Sequence, residues 1–354
     1  MENKFDPDFG RVVDWDIPLL EGYDFEFLEN SSNEKGSHHF SGIKNPDIIQ
    51  RIDAFGPDAI LVFGWAFNSH LKVLRHYSKK ILVIFRGDST LLDKTNLLKN
   101  LFRSAILKWV YIFVDYALYV GTNNYNYFKK AGLLEEQLIY APPAIDLERF
   151  SNDEEVREKE AIAWREKLNI KAVKKIFLFA GKLEEKKNVQ LLLKSYTESG
   201  LSEKSEVVIV GNGKLEEELK KEFGNNTGIH FLDFKNQSEM PTIYRMADIF
   251  VLPSSGPGET WGLAINEAMS CGRPVIASDK CGSAIDLIDN GITGFIFKSG
   301  DEQDLVAKLR TMASKSGAEL KTMGENACNK IANFSYERCC TAVENLVLKV
   351  QTNR

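Results

Sequence analysis

Ten short, unbroken runs rich in Val, Ile, Leu and Phe recur along the chain, each leading into a turn and then a helical pattern. In the first half they are "DAILVFG" (58–64), "KILVIF" (80–85), "YALYVG" (116–121) and "QLIYAP" (137–142). In the second half they are "KIFLFAG" (175–181), "EVVIVG" (206–211), "IHFLDF" (229–234), "DIFVLP" (248–253), "RPVIAS" (273–278) and "TGFIF" (293–297). A strand with one face in water alternates apolar and polar residues, whereas runs without alternation belong to parallel strands covered on both faces. The intervening segments, such as "NVQLLLKSYTES" and "KLEEELKKEF", read as helices. Strand–helix alternation through both halves predicts an α/β protein of two doubly wound, Rossmann-like domains facing across a cleft.

At 354 residues the chain exceeds one ordinary core. The charged stretch "SNDEEVREKEAIAWREKLNIKAVKK", between Phe150 and Ile176, reads as the hinge. The expected domains are therefore 1–165 and 166–333, followed by a closing segment, 334–354.

A net charge of −5 argues against a dedicated nucleic-acid binder. The distribution says more than the total. Residues 1–34 hold two basic and ten acidic side chains, residues 35–134 fourteen basic and six acidic. A basic first half suits anionic ligands or an anionic membrane surface. The segment "LLKNLFRSAILKWVYIF" (97–113) sets Lys99, Arg103 and Lys108 among large apolar residues. Core packing is its first reading, peripheral attachment to a membrane its second.

Five cysteines without regular spacing read as reduced thiols, and the polar N-terminus lacks the apolar core of a signal peptide. The longest apolar run, "AILKWVYIFVDYALYVG", is interrupted by Lys108 and Asp115 and is short for a membrane span. A cytoplasmic protein, attached at most to the inner membrane surface, is expected. Its five histidines show no metal-ligand spacing, and HExxH, GxSxG and a dinucleotide-binding GxGxxG are all missing. Neither a metal nor another cofactor is expected.

Three strand-to-loop junctions in the second half converge on one chemistry. "KIFLFAG" closes on Gly181 and leads into "KLEEKKN", placing Lys182, Lys186 and Lys187 at the carboxyl end of a strand. "EVVIVG" leads into "NGKLEEE", where Gly211 and Gly213 flank Asn212 and a backbone can approach a ligand closely. "DIFVLP" leads into "SSGPGETWGLAINEAMSCG": Gly256, Pro257 and Gly258 make a sharp turn, and a helix is expected from near Thr260 to Cys271–Gly272. Its uncapped amides, from Thr260 through Trp261, Gly262 and Leu263, offer a seat for phosphate.

Glu259 and Glu267 flank that seat. Eight residues at helical rise separate them by roughly 12 Å. That is too wide for a carboxylate pair on one glycosidic bond, which needs about 5 Å for retention and less than about 10 Å for inversion. It suits a long ligand with a diphosphate at the helix start, Glu259 binding sugar hydroxyls at one end and Glu267 a ribose at the other. Lys182 and Lys187 would neutralise the diphosphate and its departing charge. Asp286, after "CGSAI", reads as a helix-start residue.

The run "GKLEEKKN", "VGNG", "LPSS…GETWGLAINEAMSCGRPVIAS" and "GITGFIF" resembles the carboxyl-terminal domain of retaining glycosyltransferases of family 4, whose fold is GT-B. The resemblance covers roughly residues 175–310. The family's E-x7-E motif matches Glu259 and Glu267, and its basic pair matches Lys182 and Lys187, with lysine where arginine is usual. That exchange keeps the charge and loses a bidentate fork. "FSYERCCTAVENLVLKV" resembles the family's terminal helix, which crosses back onto the first domain. In the first half, "WDIPLLEGYDFEFL", "FRGDS", "VGTNNYNYFKKAGL" and "APPAIDLERF" are similar to enzymes that build surface polysaccharides. Many relatives carry a histidine after the strand that precedes the cleft; here Arg86 and Asp88 stand in that region and become acceptor-side candidates. The strand, glycine-rich loop and helix that usually open the family's first domain are not expected ahead of "WDIPLLEGYDFEFL" here, the unit being either absent or cut away with a truncated start.

What the resemblance implies is transfer of a sugar from a nucleotide-diphosphate donor to the hydroxyl of a sugar or lipid-linked acceptor, with retained configuration and without metal. Glu259, Lys182 and Lys187 would be catalytic. Gly181, Gly211, Asn212, Gly213, Thr260, Trp261, Gly262, Leu263 and Glu267 would bind the donor. The rival readings are an impaired or non-catalytic sugar-nucleotide binding protein and a sugar-nucleotide epimerase of the same fold.

Overall fold

All ten apolar runs form strands, and all ten pair in parallel. The computed structural model describes residues 4–6, 11–93, 97–256 and 258–352. A short antiparallel hairpin, β1 (Lys4–Asp6) with β2 (Arg11–Val13), precedes them and was not expected.

Two bodies result, and they do not divide where the sequence suggests. The larger comprises residues 1–18 and 143–336, the smaller 19–142 and 337–354. The division at Pro142–Pro143 corrects the expected 165/166 boundary, and the first eighteen residues side with the larger body. The charged stretch read as a hinge contains a helix of the larger body, Glu154–Lys167, because its charges have partners there. Arg165 donates to the Met246 carbonyl and pairs with Asp248 at 2.7 Å, and Arg157 donates to Thr242 Oγ1.

In the smaller body the strands are β3 (Ala59–Phe63), β4 (Leu82–Arg86), β5 (Tyr116–Tyr119) and β6 (Leu138–Tyr140), in that spatial order. Its helices are α1 (Ile48–Phe55), α2 (Asn68–Tyr77), α3 (Leu97–Tyr111) and α4 (Thr122–Lys130). Successive residues of a strand point to opposite faces, and β4 shows it. Val83 and Phe85 join the core beneath α2, α3 and α4, whereas Leu82 and Ile84 join a second core with Leu346 of the final helix.

In the larger body α5 (Leu147–Ser151) and α6 (Glu154–Lys167) lead into β7 (Lys175–Ala180), α7 (Val189–Ser199), β8 (Ser205–Val210), α8 (Glu216–Phe223) and β9 (Ile229–Leu232). After them come α9 (Met240–Met246), β10 (Ile249–Leu252), α10 (Leu263–Ser270), β11 (Val275–Ser278), α11 (Ala284–Leu287) and β12 (Gly294–Phe297). The chain closes with α12 (Glu302–Ser314), α13 (Gly317–Ile331) and α14 (Tyr336–Thr352), the last joining the smaller body from Glu337 on. Caps set several starts: Asp146 accepts from Arg149 N, Asp301 from Asp304 N, and Ser316 and Glu319 form a capping box.

The sheet order is β12-β11-β10-β7-β8-β9. Read from β9 as 3-2-1-4-5-6, it is the doubly wound order, with its reversal point between β7 and β10. Every residue of β8 and β10 is buried, which accounts for the lack of alternation in "EVVIVG" and "DIFVLP".

Candidate active site

In an open doubly wound sheet, ligands bind beyond the carboxyl ends of the strands, where the order reverses. Here that point lies between the loops that follow β7 and β10, and it brings Lys187 and Glu259 together. Lys187 Nζ lies 2.5 Å from Glu259 Oε2, and the glutamate is only 8 % exposed. Ser254 Oγ, fully buried, donates to the same oxygen at 2.8 Å. Ser278 Oγ in turn donates to the Ser254 carbonyl.

The segment carrying Glu259 is braced from the next loop. Gly282 N donates to the Glu259 carbonyl and Ser283 N to the Trp261 carbonyl, both at 3.0 Å. A Cβ on Gly282 would lie 1.7 Å from the Thr260 oxygen, so only glycine permits this approach. The "CGSAI" turn is thus a positioning element, which the sequence analysis did not assign. Asp286 lies in the first turn of the four-residue α11.

The helix start differs from expectation. α10 begins at Leu263, not near Thr260, because Gly262 adopts φ +93° as its N-cap and no side chain caps it. Leu263 heads the helix in an exposed position, while Thr260 and Trp261 lie in the loop before it. Trp261 is buried and its Nε1 donates to Asn266 Oδ1 at 2.9 Å, so its ring is structural. Gly256 and Gly258 have positive φ as the expected turn requires; Pro257 lies outside the described residues.

Glu267 sits in a different environment from Glu259. Tyr244 Oη on α9 donates to its Oε2 at 2.7 Å. Burial pushes its carboxyl above the usual range, against the pull of that hydrogen bond and of the Arg149 charge. Arg149, on α5, lies over the Phe150 ring, and its buried Nε has no hydrogen-bond partner among the described residues. Tyr244 and Arg149 both escaped the sequence analysis. They arrive from α9 and α5, and no motif spacing marks either one.

The glycine-flanked loop after β8 approaches another backbone closely. A Cβ on Gly211 would lie 2.1 Å from the Gly181 oxygen, and one on Gly213 2.5 Å from the Leu183 oxygen. These glycines let the β7 and β8 loops pack backbone to backbone, with Leu183 N donating to the Asn212 carbonyl. Asn212 is occupied too. Its amide donates to Glu216 and Asp233 and its Oδ1 accepts from Phe234 N. Lys182 lies half-buried in the β7 loop, which joins it to the Lys187 side of the site.

In the smaller body Arg86 is spent on structure. Its guanidinium donates to the carbonyls of Ala141 and Pro142 and reaches Cys339 Sγ. Those donors tie the end of β4 to the segment after β6. Asp88 is exposed two residues further on.

A doubly wound domain with a lysine–glutamate pair at its reversal point places the chain among α/β proteins whose ligands lie at the carboxyl ends of the strands. Residues 160–330, most of the larger body, match the family of glycosyl transferases group 1. The chain is 31 % identical over 175 residues to the sulfoquinovosyl transferase SQD2 of Arabidopsis thaliana, covering 49 % of this chain and 33 % of that one. It is 30 % identical over 225 residues to the UDP-Gal:alpha-D-GlcNAc-diphosphoundecaprenol alpha-1,3-galactosyltransferase of Escherichia coli, covering 60 % of this chain and 54 % of that one. The chain thus spans from a third to about half the length of these relatives. Among solved structures, that of Anabaena Alr3699/HepE in complex with UDP and glucose matches with a TM-score of 0.66 at 18 % identity, over 85 % of this chain and 81 % of that one. The fold is the mixed α/β, parallel-sheet fold of GT-B glycosyltransferases.

Proposed function

We propose that this chain transfers a sugar from a nucleotide-diphosphate donor to an acceptor hydroxyl with retained anomeric configuration, in the assembly of a surface polysaccharide or glycolipid. The observation that carries this reading is the Lys187–Glu259 pair at the reversal point of the larger body's sheet. The names of two similar proteins support it: one was solved with UDP and glucose, and another takes a UDP-sugar to a diphosphoundecaprenol-linked acceptor.

In this reading the donor diphosphate lies at the uncapped start of α10, where the partial positive charge of the helix favours it. Lys187 turns from Glu259 to the phosphate that departs, and Lys182 adds a second positive charge from the same loop. Glu259 then accepts hydrogen bonds from hydroxyls of the transferred sugar, and Glu267 and Arg149 bind the nucleoside end. The bond from the anomeric carbon to the phosphate oxygen breaks as the acceptor oxygen bonds to the same face. The acceptor's proton passes to the departing phosphate oxygen, so no enzyme nucleophile and no metal ion is called on. We place the activity on the cytoplasmic side of a membrane, with a sugar or a lipid-linked sugar as acceptor.

The deciding experiment is a panel of nucleotide sugars screened by thermal shift, followed by turnover with membrane lipid extracts in the presence of a chelator. Glu259→Ala should reduce transfer by about a hundredfold or more. Unchanged turnover in that variant would refute the site. Donor binding without consumption by the unaltered chain, with any acceptor, would favour a sugar-nucleotide binding protein instead.

A further inference from the structure

We propose that the outer face of α3, with the basic flanks of α2 and α4, docks the smaller body onto a bilayer surface rich in anionic lipid. The inference stands apart from the sugar-transfer reading, because it concerns the other body and a binding event that needs no donor.

The helix is apolar on both sides. Leu107, Val110 and Tyr111 are buried against the sheet. On the opposite side Leu101 and Phe102 are 66 % and 71 % exposed, with Trp109 also in solvent, and Ile112, in the turn just after the helix, is 66 % exposed. Positions 101, 105, 108 and 112 follow helical spacing, and 102 and 109 lie beside them, so the exposed residues form one stripe. A single exposed leucine needs no explanation, but a contiguous stripe of four large apolar residues marks an interaction surface.

Charge says what covers it. The sequences of α2, α3 and α4 hold seven Lys or Arg and not one Asp or Glu. Lys108 sits within the stripe, and the Arg75 guanidinium carbon lies 5.7 Å from the centre of the Trp109 ring. Arg103 lies at the same distance from Tyr127. On the neighbouring α1 the acid Asp53 is engaged by Tyr77 Oη at 2.6 Å. Long basic side chains around an apolar stripe let the stripe enter the acyl boundary while their charges meet lipid headgroups. A second copy of this chain fits poorly, because a twofold contact would bring like charges opposite one another.

The test is co-sedimentation of the whole chain with vesicles of phosphatidylcholine alone or with phosphatidylglycerol added. Binding is expected only to the anionic vesicles, and raised salt should weaken it. Lys108→Glu should lower the partition by at least about fivefold, since a basic residue near the surface is worth about that factor and its reversal adds repulsion. The triple variant Leu101→Ser, Phe102→Ser, Ile112→Ser should abolish binding without shifting the melting temperature, because those side chains are already exposed. Val156→Ser, an exposed apolar position on α6, should bind like the parent. Equal binding to both vesicle types, no binding to either, or a triple variant that binds normally would each overturn the proposal. So would light scattering that shows a dimer lost in the triple variant with no lipid bound by the parent.

Discussion

Ser254 and Lys187 donate to the same carboxylate oxygen of Glu259, one from a fully buried hydroxyl and the other from a loop ammonium. The hydroxyl cannot leave, whereas the ammonium is held by a flexible stem. In the proposed mechanism a phosphate draws Lys187 away, and Ser254 alone would then keep the carboxylate aimed. Ser254→Ala should therefore lower kcat by about 10- to 100-fold, in line with the worth of a hydrogen bond to a charged group, and leave the KM for donor nearly unchanged. Steady-state kinetics with a working donor checks this. A rise in KM at constant kcat would assign Ser254 to binding instead.

Gly282→Ala tests the brace behind the same segment. The added methyl meets the Thr260 carbonyl, so the backbone at 259–261 or at 282 must move. Overpacking of this kind costs about 1–3 kcal/mol. A lower melting temperature and weaker nucleotide binding by calorimetry are the expected results. A stable variant with normal affinity would show that the two turns are independent.

Glu267 should make stability depend on pH. Its carboxyl is held above the ordinary carboxylate range by burial, so the folded state binds its proton more tightly than the unfolded state does. The stability this confers is present at low pH and is lost as pH rises from the unfolded value through the raised folded one. Glu267→Gln removes the titration. Relative to the parent, its melting temperature should be more favourable at pH 8 than at pH 4, and melts at both pH values decide the matter.

How much of this was legible follows the physics of each element. The strands were, because an apolar run buried on both faces needs no register to be recognised. The placing of Lys187 and Glu259 on loops after strands was legible too, but not their pairing, which depends on β7 and β10 lying side by side. The helix α6 was not. It docks through Arg157 and Arg165 rather than through an apolar stripe, so its sequence looks like a solvated linker. The packing of Gly211 and Gly213 against the β7 loop was not legible for a related reason: a glycine announces a close approach without saying what approaches. Tyr244 and Arg149 required the tertiary packing of α9 and α5 against α10, which local spacing does not encode.

The chain passes between its two bodies three times, at 18/19, 142/143 and 336/337. The stretch 143–336 can therefore be lifted out of a gene as one uninterrupted cassette, whereas its companion must be stitched from 19–142 and 337–354. Such a cassette sheds the arm in which Trp15 meets Phe234 and Asp16 holds Ser238, so a designer who transplants it inherits a bare aromatic ring and an amino end of α9 without its brace.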